Sequence, residues 1–172
     1  AKVFEECGYK VAHNLSGANL IGGVATLLLD SVTLTGKCKK DVLVLEVDER
    51  YAKIVFKYFK PNYFAITNLS RDQLARHGHY DVVYDDIARV ISDDMHLLLN
   101  ADDPFVCKLA QNHKGKVTYF GIGEHENVEK EVLMDTLDLA YCPVCHSKLV
   151  FDYYHYGNLG KYSCPNHDFD RP

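Results

Sequence analysis

The chain has 172 residues and a formal net charge of -5, so it can bury one core with a small appendage and has no general attraction for nucleic acid or anionic membranes. No apolar run is long enough to span a bilayer, and the first residues, AKVFEECGYK, lack the apolar core of a secretory signal. Six cysteines, clustered only towards the end of the chain, suit a reducing cytoplasm with one metal site.

Five β-branched or aliphatic runs alternate with segments of helical periodicity. Strands are predicted at Tyr9–His13, Asp41–Val47, Tyr63–Asn68, His96–Asn100 and Lys116–Phe120. Helices are predicted at Asn19–Val32, Arg50–Phe59, Tyr80–Ile91 and Pro104–Gln111. The strands are apolar on both faces, so the alternation predicts an α/β fold, a parallel sheet with helices on both faces.

The N-terminal residues indicate the end of a helix entering a strand, so we expect the chain to begin inside a fold. No Gly-x-x-x-x-Gly-Lys-Ser/Thr phosphate loop occurs in the sequence, because the Gly-Lys pairs lack the upstream glycine and the following hydroxyl. If the fold uses such a loop, we expect it just upstream of Ala1.

Three polar segments follow predicted strands. In HNLSGANLIGG, from His13 to Gly23, free N–H groups at a helix start can receive a carboxylate or phosphate, and we assign Asn14, Ser16 and Asn19 to candidate substrate binding. The alternative is an ordinary helix start.

Glu46 lies near the carboxyl end of VLVLEVDE, where a buried parallel strand opens into the ligand crevice. A carboxylate there needs a cation or a hydrogen-bond partner. It is either a Mg²⁺ ligand facing nucleotide phosphates or a salt-bridged acid at the strand end. Asp48 and Glu49 are expected to cap the next helix.

The third segment is TNLSRDQLARHGHYD, from Thr67 to Asp81, which also follows a strand. Its amide, guanidinium and carboxylate groups suit an anionic or metal-bound substrate, and the alternative is a polar loop that caps a helix. The candidate residues are Asn68, Arg71, Asp72 and Gln73.

A metal clip is predicted near the end of the chain, where Cys142-Pro-Val-Cys145 and Cys164-Pro-Asn-His167 form two knuckles. Strands Leu149–Tyr156 and Lys161–Ser163 would pair as a hairpin between them. Four protein ligands make a closed, structural Zn²⁺ site, which would supply the folding energy of the hairpin. The alternatives for the cysteines are a disulfide or free thiols. The alternatives for the fourth ligand are Asp168, His146 and His155.

Taken together, VLEVDE, TNLSRDQLARHGHYD, LLLNADDPF and HNLSGANL resemble the central ATPase domain of the Mur ligase family. The CPVC…CPNH ribbon favours the branch of that family that amidates lipid II. The resemblance covers essentially the whole chain. It implies a P-loop-NTPase-like fold, incomplete here because the phosphate loop is missing, with a partial ATPase domain over residues 1–135 and a zinc ribbon over 136–172.

The resemblance also implies an ATP-dependent amidation. The α-carboxyl of D-glutamate in the lipid II stem peptide would become an acyl phosphate, and ammonia from a GatD-type glutaminase partner would displace the phosphate. Glu46 matches the family's Mg²⁺-binding glutamate, and Asn68 and Arg71–Gln73 match the segment that lines the site. Gln73 stands where amino-acid-adding relatives have a metal-binding histidine, and Tyr80–Ile91 offers no lysine for carbamylation.

Family ribbons usually end in cysteine, so His167 is a departure. The phosphate loop and the C-terminal domain of the family have no counterpart in the sequence, so we expect a fragment that binds zinc but does not turn over ATP alone. Two other readings remain open: a folylpolyglutamate-synthase relative, and a non-catalytic module whose aromatic hairpin docks a protein. We expect a cytoplasmic protein working on lipid II at the membrane surface.

Overall fold

The computed structural model describes residues 1–14, 18–69, 80–130, 141–156 and 159–172. It separates into two compact units, Ala1–Lys60 and Pro61–Pro172. The domain boundary predicted at 135/136 falls outside the described residues and stays a prediction. No described helix is long and apolar enough to cross a membrane.

The first unit contains two parallel strands with helices between and after them. The elements are α1 (Lys2–Glu6), β1 (Val11–His13), α2 (Ile21–Asp30), β2 (Val42–Val44) and α3 (Glu49–Val55). β1 and β2 pair in parallel, with Val11 opposite Val42. The side chain of Asp48 accepts the Arg50 N–H at 3.0 Å, so its predicted role as the cap of α3 is confirmed.

The second unit begins with a three-stranded parallel sheet. Its elements are β3 (Tyr63–Ile66), α4 (Tyr80–Val90), β4 (His96–Asn100), α5 (Pro104–Lys108) and β5 (Val117–Phe120). The strand order is β3-β4-β5, and the central strand buries Leu97 and Leu99 completely. Leu97 and Leu99 lie on one face of β4, and Leu98 on the other face is half-buried, so the three consecutive leucines all meet covered surface.

The second unit ends in an antiparallel hairpin of β6 (Val150–Tyr156) and β7 (Leu159–Ser163). We call described residues 141–156 and 159–172 the ribbon. Its small apolar core contains Leu149, Tyr162 and two cysteines, together with Cys107 from α5. Tyr153 is buried and Phe151 stacks on Tyr154 with ring centroids 4.5 Å apart, so these hairpin rings pack onto the molecule itself.

The predicted α/β class, the order of strands and helices and the parallel pairing are confirmed, but the described strands pair as a two-stranded and a three-stranded parallel sheet rather than as the single sheet that was predicted. β2 and β3 end at Val44 and Ile66, earlier than the predicted Val47 and Asn68. The residues beyond these ends bond to side chains instead of to a neighbouring strand, as the site geometry below shows. The phosphate-loop expectation concerns residues outside this sequence and stays a prediction.

Gly160 tests the close packing of the hairpin. A Cβ built there would lie 2.1 Å from the Tyr153 carbonyl oxygen, a backbone atom that cannot move aside cheaply. We expect Gly160→Ala to lower the free energy of unfolding by about 1–3 kcal/mol in urea denaturation. Gly123→Ala is the control, because its Cβ would meet nothing within 4 Å. Equal stability of the two variants would contradict the hairpin geometry.

Candidate functional site

The backbone of Glu46 is fixed at the carboxyl end of β2 by one side-chain amide. The Glu46 N–H donates to Asn14 Oδ1 at 2.8 Å, and Asn14 Nδ2 donates to the Glu46 carbonyl at 2.7 Å. Asn14 follows β1 directly, so its amide continues the β1–β2 ladder past the last paired residues. Both backbone groups of Glu46 are thereby satisfied.

The loop that follows β1 contacts Glu46 a second time. Asn19 Nδ2 lies 3.5 Å from Glu46 Oε1, a long contact, and the Asn19 carbonyl accepts the Asp48 N–H at 3.1 Å. Asn14 Nδ2 also donates to the Ala18 carbonyl at 2.8 Å. The structure therefore brings Asn14 and Asn19 together with Glu46, and the substrate-binding role predicted for them stays a prediction. Ser16 lies outside the described residues.

The Glu46 side chain is exposed, and among the described residues its carboxylate makes only the long contact with Asn19. Mg²⁺ in nucleotide sites is held by one or two carboxylates together with waters and phosphate oxygens. An anchored backbone with an accessible carboxylate fits that donor set. The Glu46 carboxylate is thus of the ligand type that Mg²⁺ prefers, and its role as a Mg²⁺ ligand stays a prediction.

Asn68 lies just beyond β3, exposed, in a loop held by two residues that the sequence reasoning missed. Asn100 Nδ2 donates to the Thr67 carbonyl at 2.8 Å, and the Leu69 N–H donates to Asp103 Oδ2 at 2.8 Å. The segment NADDPF carries a signal for a helix cap, since Asp precedes Pro at the helix start. It carries no signal for bonds to this distant loop. Arg71, Asp72 and Gln73 lie outside the described residues.

The sulfur atoms of Cys142, Cys145 and Cys164 all lie within 4.8 Å of one another. Cys145 Sγ and Cys164 Sγ are 3.4 Å apart. A tetrahedral Zn²⁺ with Zn–S bonds of about 2.3 Å separates its sulfurs by about 3.8 Å. The two knuckles therefore converge as predicted, and the three thiols fit zinc.

Hydrogen bonds to one of these thiols favour its thiolate form, which is the form that binds a metal. The pKa of Cys145 is lowered to about 7, chiefly because Ser147 and Asn166 donate to its sulfur, with Asn166 Nδ2 at 3.4 Å. Burial raises the pKa of Cys142, although the Val144 N–H lies 3.4 Å from its sulfur. A metal would need both as thiolates, so binding zinc would release protons.

The structure does not place His167, the predicted fourth ligand, among the converging donors. Its side chain is 86% exposed, with Nδ1 4.0 Å from Asp170 Oδ2, and its φ is 57°. The group of converging donors in the described residues contains only the cysteines. Of the alternatives, His155 Nε2 already donates to the Ile122 carbonyl at 2.8 Å. His167 as ligand stays a prediction.

Comparison with known proteins agrees with the sequence resemblance. The family model of the Mur ligase middle domain matches residues 24–166. The subunit MurT of lipid II isoglutaminyl synthase (glutamine-hydrolyzing) from Staphylococcus aureus (strain COL) is 35% identical over 156 residues, which are 90% of this chain and 34% of that protein. The same subunit from Streptococcus pneumoniae (strain ATCC BAA-255 / R6) is 32% identical, covering 99% of this chain and 37% of that protein.

Among solved structures, a pseudomurein peptide ligase type C from Methanothermus fervidus superposes with a TM-score of 0.67 at 24% identity, covering 99% of this chain and 32% of that one. At this identity the likeness supports the fold alone. The chain spans about a third of the length of the curated relatives it matches. The predicted resemblance to the Mur ligase family is confirmed, and the curated relatives are MurT subunits, as the sequence comparison predicted.

The thiol cluster predicts one bound Zn²⁺ per chain. We expect Cys142→Ser and Cys164→Ser to abolish stoichiometric zinc in elemental analysis and to unfold the ribbon in near-ultraviolet circular dichroism, because metal binding supplies its folding energy. Cys38→Ser is the matched control, since Cys38 is exposed and outside the cluster. Full zinc content in both cluster variants would exclude this site.

His167→Ala tests whether His167 is the fourth zinc ligand. If His167 completes the tetrahedron, its loss should weaken zinc binding by more than about ten-fold, since even outer-shell partners cost that much. His146→Ala is the parallel variant, because His146 is an alternative fourth ligand that also has a positive φ, 60°, next to a knuckle. Competition with a chromogenic chelator measures both affinities, and equal values would remove His167 from the ligand set.

Proposed function

The chain belongs to the Mur ligase family as a middle domain, and from this membership we propose that it is part of an ATP-dependent carbon–nitrogen ligase of peptidoglycan synthesis. The proposal is supported by the relatives, which are named as subunits of a lipid II isoglutaminyl synthase. The word subunit in those names also implies a second component.

The reaction we propose is amidation of the α-carboxyl of D-glutamate in the lipid II stem peptide. The carboxylate oxygen takes the γ-phosphoryl group of ATP, which forms an acyl phosphate and ADP. Ammonia from a GatD-type glutaminase then attacks the carbonyl carbon, the amide bond forms, and inorganic phosphate and a proton leave. This chemistry would take place in the cytoplasm, with the lipid substrate held at the membrane surface.

Glu46 is the residue we propose to hold the magnesium of the nucleotide. Mg²⁺ offsets the charge that develops between the γ-phosphate and the carboxylate. Asn14 fixes the Glu46 backbone at both its N–H and its carbonyl, so the carboxylate is presented from a defined position rather than from a loose loop. Preorganised charge of this kind needs no rearrangement during the reaction.

The loop after β3 is the second segment that we propose to contact substrate, as the family resemblance implies. Asn68 is exposed and its flanking backbone is held by Asn100 and Asp103, which favours a defined placement. We propose the same substrate-contacting role for Arg71, Asp72 and Gln73, which rests on the family resemblance alone.

The cysteine cluster has a supporting role in this proposal. Four protein ligands leave no coordination position for a substrate, so such a zinc site stabilises structure and does no chemistry. The named relatives and the cluster together weigh against a folylpolyglutamate-synthase relative. The protein-docking alternative loses support because Phe151 and Tyr153 pack within the ribbon and its surroundings.

The observation that carries the proposal is the exposed Glu46 carboxylate on an anchored backbone at the end of β2. We expect Glu46→Gln, in the protein as encoded and with its glutaminase, to lower the amidation rate at least about a hundred-fold. Asn14 bonds to the backbone of Glu46 and not to its side chain, so the fold should persist when the side chain is changed. Mass spectrometry of the lipid II product measures amidation, and circular dichroism measures folding.

Asp41→Asn is the control for Glu46→Gln. Asp41 stands at the opposite end of the same strand, where its Oδ2 accepts the Lys10 N–H at 2.8 Å, and the amide oxygen of Asn can accept the same bond. We expect this variant to amidate lipid II at the normal rate. If Glu46→Gln retained full amidation, Glu46 would have no place in the mechanism.

A further inference from the structure

Two adjacent buried carboxylates, Asp102 and Asp103, follow β4 directly, with 3% and 0% of their surfaces exposed. Burying a carboxylate is costly unless hydrogen bonds or a cation satisfy it. Both residues meet that requirement by bonding to parts of the second unit that are distant in sequence. Their partners indicate what the pair does.

Asp103 has two distinct tasks, one for each oxygen. Its Oδ1 accepts the Phe105 and Val106 N–H groups at 2.9 and 3.2 Å, which caps α5. Its Oδ2 accepts the Leu69 N–H at 2.8 Å. By contrast, the cap residue Asp48 accepts the Arg50 N–H at the start of its own helix. The second oxygen of Asp103 therefore adds a tether to the loop that contains Asn68.

Asp102 bonds to the ribbon and to the segment after β5. Its Oδ1 accepts Arg171 Nε at 2.8 Å, and its Oδ2 accepts the Ile122 N–H at 2.9 Å. Its carbonyl accepts the Gly160 N–H from β7 at 3.0 Å. Arg171 in turn donates its own N–H to the Tyr162 carbonyl at 3.2 Å. Asp102 is thus held by the hairpin and by the residues that follow it.

A third link runs through α5, which is only five residues long. Cys107 lies in the apolar core of the ribbon with Tyr162 and Leu149. Burial raises the pKa of the Cys107 thiol to about 12, so it packs there as a neutral group. The same short helix therefore touches the ribbon through Cys107 and the loop after β3 through its cap, Asp103.

We propose that the ribbon is a brace for the loop after β3, and that Asp103 is the positioning residue that transmits this bracing to Asn68. Asp102 and Cys107 are the two points at which the ribbon holds the segment that carries Asp103. The bracing itself depends only on the contacts described above. Its consequence for catalysis rests on the function proposed for Asn68.

Asp103→Asn tests the tether selectively. If the amide oxygen keeps the cap of α5, the Nδ2 group faces the Leu69 N–H and the tether is lost. We expect amide hydrogen exchange at Leu69 to accelerate about ten-fold or more, because a bond to a charged group is lost, while Phe105 and Val106 stay protected. Asp48→Asn is the matched control, since the Asp48 side chain contacts Arg50 at the start of its own helix and, in the described residues, no distant loop. Unchanged exchange at Leu69 would overturn the proposal.

Arg171→Ala tests whether the ribbon acts through Asp102. We expect Leu69 exchange to rise in this variant as well, while Leu97 and Leu99 in β4 stay protected. Lys161→Ala is the control on the same hairpin, because it breaks only an exposed ion pair with Asp152, at 2.8 Å. If Arg171→Ala loosens the whole unit, Arg171→Lys keeps the charge and loses only the Nε geometry. No rise at Leu69 in a folded Arg171 variant would refute the brace.

Amidation kinetics distinguish the bracing of the loop from the catalytic role proposed for Asn68. In the protein as encoded, with its partner subunit, Asp103→Asn should lower kcat about ten-fold and leave KM for ATP nearly unchanged. The reason is that Asn68 is proposed to position the reacting groups, and a loosened Asn68 would position them less well. Faster Leu69 exchange with unaltered amidation would separate Asn68 from catalysis while the brace stands. Altered KM with unaltered kcat would contradict the positioning role.

Discussion

Backbone groups beyond the end of a parallel strand lose their ladder partners, and in this chain side chains near the ends of neighbouring strands replace them. Buried N–H and carbonyl groups need such partners. Four residues act in this way across the two units: Asn14, Asn100, Asp102 and Asp103. The constraint explains why functional candidates such as Glu46 and Asn68 have defined positions although they lie outside the strands.

The sequence alone predicted the elements well because apolar periodicity is a local property. The strand His96–Asn100 has the predicted bounds, and α4 ends at Val90 rather than Ile91. Errors in the bounds include the end of α3, at Val55 rather than Phe59, and the carboxyl ends of β2 and β3, where ladder pairing stops earlier than predicted. A pattern of hydrophobic residues cannot reveal that a side-chain amide has replaced the next strand.

The candidate site was predictable in its composition but not in its connections. The two knuckles, CPVC and CPNH, located three sulfurs that converge, because ligand spacing is a local signal. The partner of Asp103 Oδ2 lies 34 residues earlier in the chain, and Arg171 lies 69 residues after Asp102. One sequence gives no sign of such pairings, so Asp102, Asp103 and Arg171 were absent from the predicted site.

The ribbon needs two separate contributions to hold a loop in place. A two-stranded hairpin is marginally stable by itself, so its folding depends on its apolar core around Tyr162 and, on the zinc hypothesis, on a metal bound by its three thiols. The Arg171–Asp102 pair adds little stability, because desolvating both charges offsets most of their attraction. Its geometry instead selects one orientation of the ribbon, since a displaced Arg171 would leave Asp102 buried and unpaired. On this hypothesis zinc removal unfolds the ribbon, whereas loss of Arg171 leaves it folded but loosens the segment that carries Asp103.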